Sequence, residues 1–170
     1  MPMRIRLGVI EDAPWLPAIE HSAGRRFLEI PDLASLPDVL NLSVEDHRRY
    51  IAAGTEWVAE MQGGERVGFL ATQIMAADLH LWEFAVCETI QGRGIGRRMI
   101  DTVEAFARER QLESLTLTTF THVPWNAPWY SRLGFQVDAD DARLAALVQA
   151  EVKSGLPRRC AMRKRLEKSL

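Results

Sequence analysis

From Leu79 to Phe120 the chain reads strand, glycine loop, helix and strand in immediate succession, an order few folds accommodate. Leu79 to Val86 is a mostly apolar run. Gln91-Gly92-Arg93-Gly94-Ile95-Gly96-Arg97-Arg98 follows, with a glycine at every second position among arginines. Beyond it Ile95, Met99, Ile100, Val103, Phe106 and Ala107 keep to one face at helical spacing, while Arg98, Asp101, Glu104 and Arg108 fall elsewhere. Ser114 to Phe120 then sets Leu115, Leu117 and Thr119 against threonines as a strand. The four pieces make one βαβ unit whose strands run parallel or nearly so.

The flanks supply the rest of a sheet. Arg4 to Leu7 alternates as a short first strand, and Asp12 with Pro14 predicts the start of a first helix whose apolar face is Trp15, Leu16 and Ile19. Glu29 to Pro37 breaks the pattern and predicts a loop, after which Ser43 and Asp46 frame the N-terminus of a second helix that Gly54 closes. Glu56 to Met61, a turn at Gln62-Gly63-Gly64, and Arg66 to Ile74 predict a β-hairpin. Downstream, Asn126 predicts the cap of a short helix that ends at Gly134. Asp138 to Ser154 predicts another, with Leu144, Leu147, Val148 and Val152 on one side, and Arg159 to Leu166 a last strand. No linker, repeat or low-complexity tract interrupts the chain, so one domain over residues 1–170 is expected.

Composition removes several function classes. The chain has 170 residues, of which 47% are hydrophobic, enough for a proper core. Its 21 basic and 23 acidic residues are well mixed and sum to −2. That balance leaves no broad footprint for nucleic acid or anionic lipid, so neither is expected as a partner. The two cysteines, Cys87 and Cys160, form no disulfide framework and no metal-ligand spacing, and the start of the chain carries no apolar targeting run. A cytoplasmic setting and the absence of a bound metal are the expectations.

Alternating glycines let successive backbone N–H groups turn inward together, and the helix that follows adds the positive end of its dipole, so phosphate oxygens are the natural ligand. A tight strand-to-helix turn with solvated arginines would use the same residues. Two familiar phosphate loops do not fit: no Lys followed by Ser or Thr completes a P-loop, and the dinucleotide fingerprint would need its third glycine where Arg97 stands.

Gln91-Gly92-Arg93-Gly94-Ile95-Gly96 resembles the Q/R-x-x-G-x-G/A acyl-CoA signature of the GCN5-related N-acetyltransferases, the GNAT family. Asn126-Ala-Pro-Trp-Tyr130-Ser-Arg-Leu-Gly134-Phe135 is similar to that family's second signature, N-x-x-x-x-Y-x-x-x-G-F. The resemblance covers most of residues 3–166. It implies an α/β (α+β) fold: a mixed, mostly antiparallel sheet of six to seven strands, flanked by about four or five helices and splayed at the acyl-CoA site.

It also implies roles. Acetyl-CoA is the expected co-substrate, its pyrophosphate on the backbone of Gly92, Arg93, Gly94, Ile95, Gly96 and Arg97 beside Gln91. Backbone groups near Ala85 and Val86 pair with the pantetheine arm, which would lie between the strands ending at Val86 and at Phe120. An amine attacks the thioester directly, so no protein nucleophile is needed, and Cys87 is taken as structural. Tyr130 stands at the family's usual acid position. Asn126 caps its helix, contacts the CoA arm, or does both. For the base, Glu83 is the lone carboxylate between Leu79 and Val86, with His122 as the alternative, whereas His80 is expected at a strand edge.

The acceptor is expected to be the primary amine of a small molecule. A protein N-terminus or lysine is the first alternative, and a catalytically silent acyl-CoA sensor the second. Arg25 to Val44 and Asp138 to Arg159 are the segments expected to choose among acceptors. Asp138, Asp140 and Asp141 there either attract a cationic amine or, more simply, complement a helix N-terminus. Family habit adds a homodimer, which no sequence feature carries.

Overall fold

The computed structural model describes residues 2–36 and 41–168. Their backbone forms seven strands and five α-helices. The strands are β1 (Met3–Leu7), β2 (Glu56–Met61), β3 (Arg66–Met75), β4 (Asp78–Val86), β5 (Ser114–Phe120), β6 (Gln136–Val137) and β7 (Arg159–Arg165). The helices are α1 (Leu16–Gly24), α2 (Val44–Ala52), α3 (Ile95–Glu109), α4 (Ala127–Arg132) and α5 (Ala142–Lys153). The strand order is β1-β2-β3-β4-β5-β7-β6. The β1–β2, β2–β3, β5–β7 and β6–β7 pairs are antiparallel and β4–β5 is parallel, the mostly antiparallel sheet that the sequence leads one to expect.

The chain divides into two compact units, Met1–Gln73 with Trp82–Val103, and Ile74–Leu81 with Glu104–Leu170. In the first, Leu16 and Ile19 of α1 pack with Val58, Phe69 and Ala85, and Ala23, Leu42, Ile51 and Cys87 close around them. Each large apolar side chain so buried contributes about 1.5–3 kcal/mol. The β2–β3 hairpin turns at Gly64, whose φ of +85° suits a residue without a Cβ. α2 begins on a reciprocal cap: Ser43 Oγ accepts from the Asp46 N–H at 3.1 Å, and Asp46 accepts from the Ser43 N–H at 2.9 Å.

The expected start of the first helix is wrong in its detail. Residues Ile10–Trp15 form a 3-10 helix, α1 starts at Leu16, and Trp15 is 60% exposed beneath the Arg66 guanidinium. Asp12 is fully buried and accepts from Arg6 at 2.7 and 3.0 Å, from Arg66 at 2.8 Å and from the Val9 N–H at 2.8 Å. Burial alone would raise this carboxyl, but those donors outweigh it and hold it down at about 2. Asp12 therefore ties β1 to β3 instead of opening an α-helix. A 3-10 turn at Arg25–Glu29 leads up to the first residue of the predicted loop, and a second at Pro31–Leu33 lies within it, with Leu33 fully buried. Pro37, the last residue of that predicted loop, lies outside the described residues.

In the second unit β4 pairs with β5 from Asp78↔Ser114 to Leu81↔Leu117, and β5 pairs with β7 along its whole length. Arg163 of β7 donates to Asp138 at 2.7 Å, to Asp78 at 2.9 Å and to Asp141 at 2.8 Å. Asp141 also caps α5, accepting from the N–H groups of Arg143 and Leu144. Asp138 and Asp141 are thus occupied by a helix end and an arginine. The predicted apolar side of α5 holds only in part: Leu144 is buried, but Val152 is 52% exposed. β6, two residues long, carries no periodic signal.

Candidate active site

β4 delivers the chain to the glycine loop. Beyond Val86 the Cys87 N–H donates to the Val67 carbonyl at 2.8 Å, and a 3-10 turn over Glu88–Ile90 reverses direction. Gln91 then holds the loop from inside: its Nε2 donates to the Val86 carbonyl at 2.8 Å while its Oε1 accepts from Arg26 at 3.0 Å. The first side chain of the motif is thereby committed to protein atoms.

Gly92 and Gly94 both have φ of +78°, a left-handed conformation that branched residues avoid. A Cβ at either would meet no atom within 4 Å. Space above the backbone is therefore open on two alternate residues, as a cradle for an anion requires. Helix α3 starts at once, and its opening N–H groups have no partner within the helix. The Arg98 N–H is the first to close back, on the Gly94 carbonyl at 3.1 Å. Arg93 and Arg98 line a cavity with Met3, Met61, Ile90 and Ile95, and Arg98 also donates to the Met3 carbonyl at 3.2 Å. Amides, helix dipole and two guanidinium groups all favour negative charge here.

Upstream on β4, Ala85 is buried in the first unit's core, and alternation puts Glu83 on the same face. Glu83 is half-buried. Near enough to feel the Glu83 charge is a second carboxyl which sequence reasoning missed, Glu20 of α1, only 6% exposed. Both its oxygens lie 3.1 Å from the Leu42 N–H. Burial first and the charge of Glu83 second push this group up to about 9. A signal was available: Glu20 sits among Leu16, Ile19 and Ala23 at i, i+3, i+4 and i+7, a charge within an apolar stripe.

In the second unit Tyr130 lies on α4, half-buried, with its ring edge-on to Trp129 at 5.0 Å and to Phe135 at 5.5 Å. Gly134, with φ of +97°, ends the segment as expected. Asn126 stands at the N-cap position but its side chain does not cap; its Oδ1 accepts from the Thr119 hydroxyl at 2.7 Å, turning the side chain toward β5. His80 is not at a strand edge. It is 1% exposed, its Nδ1 lies 2.8 Å from the Thr116 hydroxyl, and burial pushes it down to about 4, so it is neutral. His122, the alternative base, stands edge-on to Phe120 at 6.2 Å. The Cys87 thiol is half-buried and raised by burial, in keeping with a structural residue.

Comparison with solved structures shows the same fold. The paia N-acetyltransferase of Thermoplasma acidophilum, solved in complex with coenzyme A, superposes with a TM-score of 0.74 at 16% identity, covering 98% of this chain and 100% of that one. The ribosomal-protein-S18-alanine N-acetyltransferase of Escherichia coli gives 0.69 at 17% identity, over 99% and 97% of the two chains. N-acetylglutamate synthase of Neisseria gonorrhoeae, complexed with coenzyme A and N-acetyl-glutamate, gives 0.74 at 20% identity, over 99% of this chain but 36% of that one. The family model described as acetyltransferase (GNAT) domain matches residues 52–137, half of the chain. That span runs through the β2–β3 hairpin and contains both signatures, the glycine cradle and the segment that carries Tyr130. The chain is a member of the GNAT acetyltransferase family.

Proposed function

We propose that the chain is an acetyl-CoA-dependent N-acetyltransferase that moves an acetyl group, by direct attack, onto the primary amine of a small molecule. The observation that carries the reading is the pair of left-handed glycines with open space over each, directly ahead of α3. A phosphate-bearing co-substrate would rest its pyrophosphate on the amides of residues 92–97, and the family supplies the identity of that co-substrate. Coenzyme A in the structures of two fold relatives supports the same choice.

The residues divide the chemistry between them. Glu83 accepts the proton of the substrate ammonium, leaving a neutral amine whose lone pair attacks the thioester carbonyl carbon. The carbon–sulfur bond breaks, the Tyr130 hydroxyl donates its proton to the departing sulfur, and the nitrogen's remaining surplus proton is lost to solvent, from which Tyr130 is reprotonated. The pantetheine arm pairs with the backbone at Ala85 and Val86, and amide N–H groups there polarise the thioester carbonyl. The Gln91 side chain shapes the loop, and its backbone faces the same ligand. Asn126 is positioned from β5 by Thr119.

Thermal unfolding with acetyl-CoA, NAD and ATP in parallel tests the binding step, because a ligand of the native state must raise the midpoint. A shift with acetyl-CoA alone is expected; equal shifts with NAD or ATP would overturn the co-substrate. Thiol release across small amines, N-terminal peptides and lysine peptides then tests the acceptor. Turnover confined to peptides would replace the small molecule with a protein, and binding without turnover on any amine would make the chain a silent sensor.

A further inference from the structure

The loop that leaves β4 is tied to α1 and to the turn after it. Ser22 of α1 accepts through Oγ from the Glu88 N–H at 3.1 Å, and Arg26, four residues on, donates from Nη1 to Gln91 Oε1 at 3.0 Å. Gln91 passes the connection inward, its Nε2 donating to the Val86 carbonyl at 2.8 Å. Guanidinium, amide and carbonyl thus form one chain of hydrogen bonds inside the first unit. The amide has a single workable orientation. A guanidinium only donates and a backbone carbonyl only accepts, so turning the Gln91 amide over would set donor against donor and acceptor against acceptor. The bond from Arg26 is charge-assisted, and it polarises the amide toward stronger donation to Val86.

The two backbone stretches joined in this way are the ones assigned above to the co-substrate. The Cys87 N–H points at the Val67 carbonyl of β3, so the Val86 carbonyl, on the opposite side of the same planar peptide, points away from β3. That is the side of β4 on which the pantetheine arm is proposed to pair. At the other end Gln91, with φ of −61° and ψ of 157°, leads directly into Gly92 at φ of +78°. A Gln91 held by its side chain therefore fixes the peptide from which the cradle begins.

Resting on that reading of the co-substrate, we infer that Arg26 is a positioning residue for acetyl-CoA: through the Gln91 amide it holds the Val86 carbonyl and the glycine cradle in register with each other before the ligand arrives. Its effect travels through Gln91 and not through its own charge acting on the phosphates. A site ordered in advance loses less entropy when the ligand binds, and the gain appears as affinity.

The test is a double-mutant cycle in the full chain: wild type, Arg26→Met, Gln91→Leu and the double variant, each titrated with CoA by calorimetry at low and high salt. Met keeps an unbranched stem and removes the charge and the donors. Arg26→Met raises the CoA dissociation constant about 3- to 30-fold, the range in which residues without ligand contact alter an affinity. With Gln91 already replaced by Leu, the same change at position 26 has no further effect, because the relay is already broken. Losses that add across the two positions overturn the inference and make Arg26 an independent cation; an unmoved affinity in Arg26→Met overturns it as well. Acting through a neutral amide, Arg26 leaves the salt dependence of binding in Arg26→Met as in wild type, whereas loss of a cation that acts on the phosphates flattens it. Should Gln91→Leu fail to fold, that salt comparison decides alone.

CoA binding needs no turnover, so the two failures separate. Wild type that binds no CoA removes the co-substrate reading and this inference with it; wild type that binds CoA, with additive losses in the variants, removes the inference alone. With an active enzyme, the loss in Arg26→Met falls on the KM for acetyl-CoA and leaves kcat near that of wild type. A loss confined to kcat overturns the positioning role.

Discussion

Tyr130 and Gly94 carry the sharpest single-residue consequences. Tyr130→Phe removes one hydroxyl and keeps the ring contacts with Trp129 and Phe135. As a general acid its loss lowers kcat by about 10²-fold or more, while the acetyl-CoA dissociation constant stays near that of wild type. Steady-state kinetics with a titration of the non-hydrolysed product CoA separates the two effects, and an unchanged kcat would remove Tyr130 from the reaction. Gly94→Val acts on the opposite step. It forces a branched residue to a φ of +78°, at a cost of about 1–2 kcal/mol, and its side chain enters the space left for the ligand. Losing one charge-assisted hydrogen bond of about 1.5–3 kcal/mol weakens binding about 10- to 100-fold. The variant stays folded by circular dichroism; undiminished CoA affinity would sink the cradle.

Elements whose sequence pattern is local were legible, and those governed by long-range charge were not. The β2–β3 hairpin, the capping box at Ser43 and Asp46, and the buried stripe Ile95, Met99, Ile100, Val103 and Ala107 on α3 all follow from residues a few positions apart. Asp12 reads as a helix cap until Arg6 and Arg66 arrive from two strands, the latter 54 residues away, and Asn126 reads as one until Thr119 claims its side chain. His80 could not be placed without knowing which strand lies beside β4. In the site, the glycines were visible as spacing and Tyr130 through the resemblance of its stretch to the second signature, but the burial of Glu20 depends on what covers α1, which its own stretch of sequence only hints at. The α2–β2 junction gives the element-scale prediction. His47 and Glu56 are both fully buried, joined at 2.6 Å, with the His47 ring edge-on to Phe69 at 4.7 Å. Removing one member strands the other's polar group in the interior, so His47→Ala costs about 3–5 kcal/mol in urea unfolding, whereas an exposed-pair change such as Glu45→Ala costs about 1 kcal/mol or less. Equal costs would mean the buried contact contributes nothing special.

For the molecule as a whole, the buried titratable groups set opposing slopes of stability against pH. His80 is depressed to about 4 from 6.5, so the unfolded chain binds more protons between those values, and the stability His80 contributes is lost as pH falls through that window. Asp12, held at about 2, behaves in the same sense further down, its contribution vanishing as pH falls from 3.8 toward 2. Glu20 has the opposite sign. Its native form holds a proton that the unfolded chain has released above 4.5, so stability falls as pH rises from 4.5 toward about 9, and Glu56, also raised by burial, adds to the same slope. Between pH 6.5 and 9 His80 has finished titrating, while Glu20 still separates the native from the unfolded chain. Urea unfolding across that interval is therefore expected to show wild type losing stability steadily and Glu20→Gln losing distinctly less, since an amide has no proton to surrender. Parallel lines for the two proteins would show that Glu20 ionises in the native state much as it does in the unfolded chain, and that α1 does not shield it. A variant line that is flatter, with the gap between the proteins widening toward pH 9, would place the native proton on Glu20 by a measurement that depends on neither ligand nor turnover.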